Sequence, residues 1–302
     1  MEGVTDTFLA LLDAGFRTYG AEGGVPPALQ EAVRTIPRHR FIHRYRLDGR
    51  LGVLDPHTGA GMADAYADLP LTHLDAADQP LDSTNSTPSY ALFLLHRLRL
   101  SPGQNVLEIG SGSGWLAGLI DHMVGESGSV TGVEIIDTLA ARSRADLASC
   151  GLDRVRILSG DAALLEWPPT SFDRAIITAG CWNVPAFMFS ALREGGLLQA
   201  PIEAADGGGT IVCLFRRHGH RLVCDDAVPG FFVAMRGASQ HRPGDPTSGA
   251  HEAGLAPSLR DFLDRRGRLS IYPASHLPDA LAPGVRIEPR GPDVLVWEFP
   301  GG

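Results

Sequence analysis

The stretch from Asn105 to Gly114 leaves this chain few folds to choose from. Asn105-Val106-Leu107-Glu108-Ile109 is a short, nearly continuous apolar run of the kind that fills a strand buried on both faces. It passes directly into Gly110-Ser111-Gly112-Ser113-Gly114, and an apolar helical pattern then runs from Gly114 to Val124. Glycines turn a chain sharply and let another group approach the backbone closely. A buried strand, a glycine turn and a helix need neighbours on both sides, and the flanking sequence supplies them. Ser129–Val133 reads as a second strand, Asp137–Ser149 as a helix that stops at Cys150-Gly151, and Val155–Leu158 as a third strand. Ala175–Thr178, Leu197–Pro201 and Thr210–Phe215 continue the alternation. The pattern predicts an α/β fold with a doubly wound, mostly parallel sheet of Rossmann-like type, covered by helices.

This alternation occupies residues 76–237, the expected core. Residues 1–75 carry short helical patterns, Phe8–Phe16 and Pro27–Ile36, before a Gly- and Asp-rich stretch, and read as an N-terminal helical module. Residues 238–302 read as a C-terminal extension. It is entered through GASQHRPGDPTSGAHEAG, whose composition predicts a linker or mobile loop. A helical pattern at Leu259–Arg266 and strand-like pieces, Val294–Phe299 among them, close the chain, and no internal repeat is visible.

Composition narrows the function classes. Of 302 residues, 44% are hydrophobic and 20% charged, which suits a globular chain with a substantial core. No apolar run reaches the roughly 18 residues that a membrane helix needs. The acidic, amphipathic N-terminus lacks the basic start of a signal peptide, so a cytoplasmic location is expected. A net charge of −9 argues against a dedicated nucleic-acid binder. Basic residues do cluster at Arg34–Arg50 and Arg216–Arg221, where they can attract an acidic peptide. Cys150, Cys181, Cys213 and Cys224 are scattered without a CxxC pair, so neither a metal centre nor a disulfide framework is expected. The oligomeric state is not written in the sequence.

The glycine spacing decides between ligands. A dinucleotide fingerprint has glycines at positions 1, 3 and 6 of the turn. Counted from Gly110, position 6 is Trp115, and the glycines fall at 110, 112 and 114. Glu108, two residues before the first glycine, can accept a hydrogen bond from a cationic group. S-adenosylmethionine carries a sulfonium and an ammonium but no phosphate, and suits this arrangement better than a dinucleotide. Glu134 ends the second strand, where a carboxylate can grip two ribose hydroxyls. Asp161 follows the third strand and can accept from an adenine amino group, with Ala162 beside it. Either acid alone would be an ordinary strand-end residue; their register with the turn is the signal. The expected cofactor site is therefore Glu108, Gly110, Ser111, Gly112, Gly114, Glu134, Asp161 and Ala162.

From about Ile36 to Gly237 the chain resembles the protein-L-isoaspartate O-methyltransferase family. Ile36-Pro37-Arg38-His39-Arg40-Phe41-Ile42 is similar to the family's VPRHxFV segment, and Ala65-Tyr66-Ala67-Asp68-Leu69-Pro70-Leu71 to its AYxDxPL segment. Thr84-Asn85-Ser86-Thr87-Pro88 is similar to its TISxP loop, and Val106–Trp115 to its VLEIGxGxGY. Further matches are Ser159-Gly160-Asp161, Phe172–Ile176, Leu192–Gly196 and Phe232–Met235. The resemblance implies a class I S-adenosylmethionine-dependent methyltransferase. It places the Thr84–Pro88 loop over the donor pocket, with Ser86 and Thr84 as the catalytic pair and Ser86 hydrogen-bonding the acceptor carboxylate. Read without the resemblance, Ser86 is equally a helix cap for Pro88–Leu98. His39 reads as a structural hydrogen-bonder rather than a general base.

The departures are as informative. His73–Asp82 replaces the family's Gly-rich stretch, residues between Phe41 and Ala65 do not follow the pattern, and about 65 C-terminal residues have no counterpart in the minimal enzyme. A retained cofactor half and a rebuilt substrate half favour carboxyl methylation of an aspartyl or isoaspartyl residue in one dedicated, ribosomally made peptide. The methyl ester can then cyclise to an aspartimide. The alternatives are general isoaspartyl repair, a non-carboxyl acceptor, or a non-catalytic peptide-binding relative. A carboxylate, with an unperturbed pKa of roughly 4, needs no general base. The work left to the enzyme is alignment.

Overall fold

The computed structural model describes residues 2–203, 210–240, 268–278 and 285–298. The chain packs as two compact units, Met1–Gly160 and Asp161–Gly302. The first begins with helices α1 (Glu2–Thr18) and α2 (Pro27–Thr35), followed by strands β1 (Arg44–Leu47) and β2 (Arg50–Val53), the one-turn helix α3 (Met62–Ala65), and strands β3 (Leu71–Leu74) and β4 (Pro80–Asn85). Helix α4 (Pro88–Leu98) leads to β5 (Asn105–Ile109), α5 (Trp115–Val124), β6 (Ser129–Glu134), α6 (Asp137–Ser149) and β7 (Arg156–Ser159). Strands β5, β6 and β7 form a parallel ladder in that order. Val106 and Leu107, neighbours that point to opposite faces, are both fully buried. The strand is covered on both sides, which is why its sequence is a run and not an alternation.

On α1, Phe8, Leu12 and Phe16 recur every four residues and are buried. Phe16 meets Phe93 of α4 edge to face, with ring centroids 5.8 Å apart. The buried guanidinium of Arg38 donates to the carbonyls of Ala65, Ala67 and Leu69 at 2.7, 3.3 and 3.4 Å, and so joins the two N-terminal segments that carry the resemblance. Beside it the His39 ring lies 2.7 Å from the Tyr66 hydroxyl through Nδ1. Burial lowers its pKa.

The N-terminal part is not simply helical. Residues 44–85 build a four-stranded antiparallel sheet in the order β2-β1-β3-β4. These strands have four to six residues each, and β2 and β4 are largely wet. They therefore lack the apolar periodicity that would announce them.

The second unit holds β8 (Phe172–Ile177), the short helix α7 (Met188–Ala191), β9 (Leu192–Glu203), β10 (Thr210–His218), β11 (Arg221–Gly230), β12 (Arg268–Pro273), β13 (Arg286–Arg290) and β14 (Asp293–Glu298). Their order is β13-β14-β12-β11-β10-β9-β8. Strands β8 and β9 are parallel, and every later pairing is antiparallel. The sheet is thus mixed where a mostly parallel one was expected. The reason is local: tight turns, with Gly219 and Gly291 at positive φ, send β10 into β11 and β13 into β14 as hairpins. The start of the expected linker is anchored. Trp182 N–H donates to Gln240 Oε1 at 2.8 Å, and the Asn183 amide donates to Ser239 O at 2.5 Å. The helical pattern at Leu259–Arg266 lies outside the described residues. Among the described residues no helix is long and apolar enough to cross a membrane.

Arg290 is the centre of the C-terminal packing. It is 1% exposed, pairs with Glu288 at 2.6 Å, donates to the carbonyls of Trp182 and Glu203 at 2.8 Å each, and lies over the Trp182 ring. Glu288 also accepts from Trp297 Nε1 at 3.1 Å. Replacing Arg290 with Met leaves a buried carboxylate and two carbonyls without their donor, and should lower the unfolding free energy by about 3–5 kcal/mol in a urea titration. The double variant Glu288→Gln/Arg290→Met should recover part of that loss; an unchanged urea midpoint for the single variant would contradict the buried pair.

Candidate active site

In the first unit the glycine turn is stapled to β6. The N–H groups of Gly110 and Ser111 both donate to Val133 O, at 2.8 and 3.1 Å. Gly112 and Gly114 have φ of 54° and 87°, and they serve different ends. A Cβ on Gly114 would stand 2.2 Å from Ser143 Oγ, so the bare backbone lets α6 pack. A Cβ on Gly112 would meet nothing nearer than 3.9 Å, and this position is open to a ligand.

Glu134 fastens the open glycine. Its Oε2 accepts the Gly112 N–H at 2.8 Å and its Oε1 accepts the Ile136 N–H at 2.9 Å. Each carboxylate oxygen keeps a further lone pair, so the group can take two more donors without losing its place. Ile135, next in the chain, remains 38% exposed and offers an apolar surface beside those oxygens.

Glu108 lies 1% exposed beneath the turn, and its Oε2 has no hydrogen-bond partner; the same holds for the buried Ser111 Oγ. Burial pushes its carboxyl up to about 8, with the Glu134 charge adding to the shift and the Ser111 hydroxyl opposing it. An orphaned buried carboxyl beside a backbone cradle fits an organic cation with hydroxyl groups, which is the donor set that S-adenosylmethionine presents.

The end of β4 stands against this turn. Ser113 Oγ donates to Asn85 Oδ1 at 2.9 Å, and Ser83 Oγ would lie 3.9 Å from a Cβ on Gly112. Thr84 is exposed and paired across the ladder with Thr72. Ser86 is half-buried in the connection to α4. It does not cap that helix. The N-cap residue is Thr87, which makes no side-chain cap bond, and the Ser89 N–H in the first turn donates instead to Asp68 Oδ1 at 2.8 Å. The cap comes from a carboxylate 21 residues upstream, so the helix start makes no claim on Ser86.

Asp161 and Ala162 belong to the second unit. Asp161 Oδ1 accepts the Ala163 N–H at 2.9 Å and Oδ2 accepts the Ala238 N–H at 2.6 Å. Gly237 makes this possible: its φ is +120°, and a Cβ there would meet Asp161 Oδ2 at 2.6 Å. Ala162 is buried, and its carbonyl accepts from Trp167 Nε1 at 2.8 Å. The sequence reading did not anticipate Asn85, Ser113, Asp68, Ile135 or Ala238. Asp68, Asn85 and Ser113 do lie inside the motif segments Ala65–Leu71, Thr84–Pro88 and Gly110–Gly114, but without an assigned role. Among the described residues no cluster of three or more His, Cys, Asp or Glu side chains could hold a metal ion.

Residues 60–240 match the family model described as Protein-L-isoaspartate(D-aspartate) O-methyltransferase, PCMT. The chain belongs to this family. The protein-L-isoaspartate O-methyltransferase of Methanococcus maripaludis strain S2 is 32% identical over 174 residues, covering 58% of this chain and 72% of the relative. Protein-L-isoaspartate O-methyltransferase 1 of Anaeromyxobacter sp. strain Fw109-5 is 33% identical over 199 residues, 63% of this chain and 92% of the relative. A solved structure named protein-L-isoaspartate O-methyltransferase superposes with a TM-score of 0.63 at 22% identity, over 95% of this chain and 87% of its own. A putative family member from Plasmodium falciparum, crystallised with S-adenosyl-L-homocysteine, gives 0.57 at 18% identity over 74% and 97%. The two structures bear out the α/β class I methyltransferase fold.

The ionisation of Glu108 makes a prediction for this PCMT-family chain. In the free protein its carboxyl is protonated below about 8, and a cationic ligand favours the carboxylate, so binding expels a proton. Affinity for S-adenosylhomocysteine should therefore rise with pH up to about 8 and then level, with a limiting slope of roughly tenfold per pH unit. Calorimetry in two buffers of different ionisation enthalpy reads the released proton directly. Glu108→Gln should bind more weakly and lose the slope; a pH-independent wild-type affinity between pH 6 and 8 would contradict the assignment.

Proposed function

We propose that this chain is a protein-L-isoaspartate O-methyltransferase that methylates the carboxylate of an isoaspartyl residue in a peptide or protein. The observation that carries the reading is the glycine turn, open at Gly112, with Glu134 bonded to it, Glu108 buried beneath it, and Asn85 at the end of β4 bonded to its Ser113. The cofactor is S-adenosylmethionine, which supplies an electrophilic methyl group. Glu108 takes its ammonium group, and Glu134 takes the ribose hydroxyls with the lone pairs that Gly112 and Ile136 leave. Asp161, with the backbone of Ala162, is assigned to the adenine.

On the acceptor side Ser86 orients the attacking carboxylate oxygen through its hydroxyl, with Thr84 at the strand end beside it. No residue has to remove a proton, since the nucleophile is already ionised at neutral pH. A single neutral donor suits this role, because tight stabilisation of the anion would weaken the attack. In the ester product, the neighbouring backbone nitrogen can close onto the ester carbonyl. Its proton leaves with the methoxide as methanol, and an aspartimide remains.

The expectation of a dedicated ribosomal peptide gives way to the general isoaspartyl reading. Both relatives above carry the isoaspartate name, and they align with 174 and 199 residues of this chain. The decisive assay offers one peptide in its isoaspartyl and aspartyl forms with labelled donor. The isoaspartyl form should gain the label and release methanol. Labelling of the aspartyl form alone would overturn the proposal and restore the tailoring alternative. Ser86→Ala should lower kcat/KM for the isoaspartyl peptide by roughly tenfold or more, with S-adenosylhomocysteine affinity nearly unchanged.

A further inference from the structure

The second residue of the family's TISxP loop is isoleucine; here it is Asn85. The change sits at the end of β4, opposite Leu71, in the hairpin that replaces the family's Gly-rich stretch. An isoleucine there could pack but could not accept a hydrogen bond. Asn85 gives the buried Ser113 hydroxyl its acceptor, at 2.9 Å. On its other side stands His73, 3% exposed and held neutral, its pKa pushed down to about 4 by burial. His73 Nε2 has no hydrogen bond of normal length and angle, yet the Asn85 amide is close enough to favour the protonated ring slightly. The amide therefore lies between the β3 strand and the glycine turn.

We propose that Asn85 is a positioning residue that ties the Ser86 connection to the glycine turn through Ser113, so that filling the turn orders the acceptor side. The proposal rests on reading the turn as the donor site and Ser86 as the acceptor-orienting residue. Its physical basis is directional. A ligand against Gly112 fixes the backbone from Gly110 to Gly114 and with it Ser113. A partly buried hydroxyl–amide bond then transmits that restraint to Asn85, and the next residue is Ser86. Apolar contact from an isoleucine would let the two segments slide.

The test is hydrogen exchange at the Asn85, Ser86 and Thr87 amides with and without S-adenosylhomocysteine, an experiment that needs no acceptor. In the wild type the ligand should slow exchange at these amides roughly fivefold or more. Asn85→Ile and the smaller change Ser113→Ala should each lose that protection while calorimetric affinity for the ligand stays within about threefold. With the isoaspartyl peptide, each single variant should lose about tenfold in kcat/KM and the double variant little more, since both break one bond. Variants that keep full protection, or losses that multiply in the double variant, would overturn the coupling while leaving the donor site intact. A wild type that does not bind S-adenosylhomocysteine would overturn the donor assignment and the coupling together. Protection without turnover of the isoaspartyl peptide would support the coupling and sink only the acceptor reading.

Discussion

The carboxylate of Glu134, with one oxygen on the Gly112 N–H and the other on the Ile136 N–H, makes a single body of the glycine turn and the end of β6. Charge-assisted bonds of this kind are short and directional, and two of them leave the turn little freedom. The remaining features of the site depend on that restraint. Gly112 is left open, Ser113 faces Asn85, and Glu108 is sealed below with an unpartnered oxygen. Burial disfavours the charged form of Glu108, the Glu134 charge adds to this, and the deeper acid takes the proton. The site is therefore primed for a cation rather than for a phosphate.

Both units use charged side chains, buried or half-buried, to satisfy loop backbone. In the first, Arg38 serves three carbonyls between Ala65 and Leu69, and Asp68 caps α4. In the second, Arg290 serves the carbonyls of Trp182 and Glu203, and Asp161 holds the Ala163 and Ala238 N–H groups. Loops around a site carry backbone groups that no ladder or helix can pair. A long or charged side chain from elsewhere meets that need and places the loop at once. The backbone groups that such residues serve cannot be read from the sequence.

The legible parts were those whose signal is local. The run Asn105–Ile109, the glycine turn and the helix from Asp137 to Ser149 fall where their residue patterns put them, because a doubly buried strand and a helix ending before Cys150-Gly151 are written in consecutive residues. The antiparallel strands were harder. The β1–β4 sheet and the β10–β11 hairpin depend on cross-strand partners, and their wet faces carry mixed residues. Ser86 looked like a helix start because a serine close before a proline often is one. The structure assigns that task to Asp68, which no local rule could have nominated.

What the sequence determined by itself is the parallel strand, the turn of three glycines, and the positions of the acids Glu108, Glu134 and Asp161 at or just beyond strand ends, since backbone conformation and residue type are carried by the chain locally. Tertiary structure alone decided that Glu108 is neutral, which N–H groups Glu134 and Asp161 hold, and what Asn85 meets. Ionisation and hydrogen-bond partnership depend on burial and on neighbours that the fold brings from far along the chain. Asn85 and Ser113 are 28 positions apart, and only the closing of β4 against the turn makes them one contact.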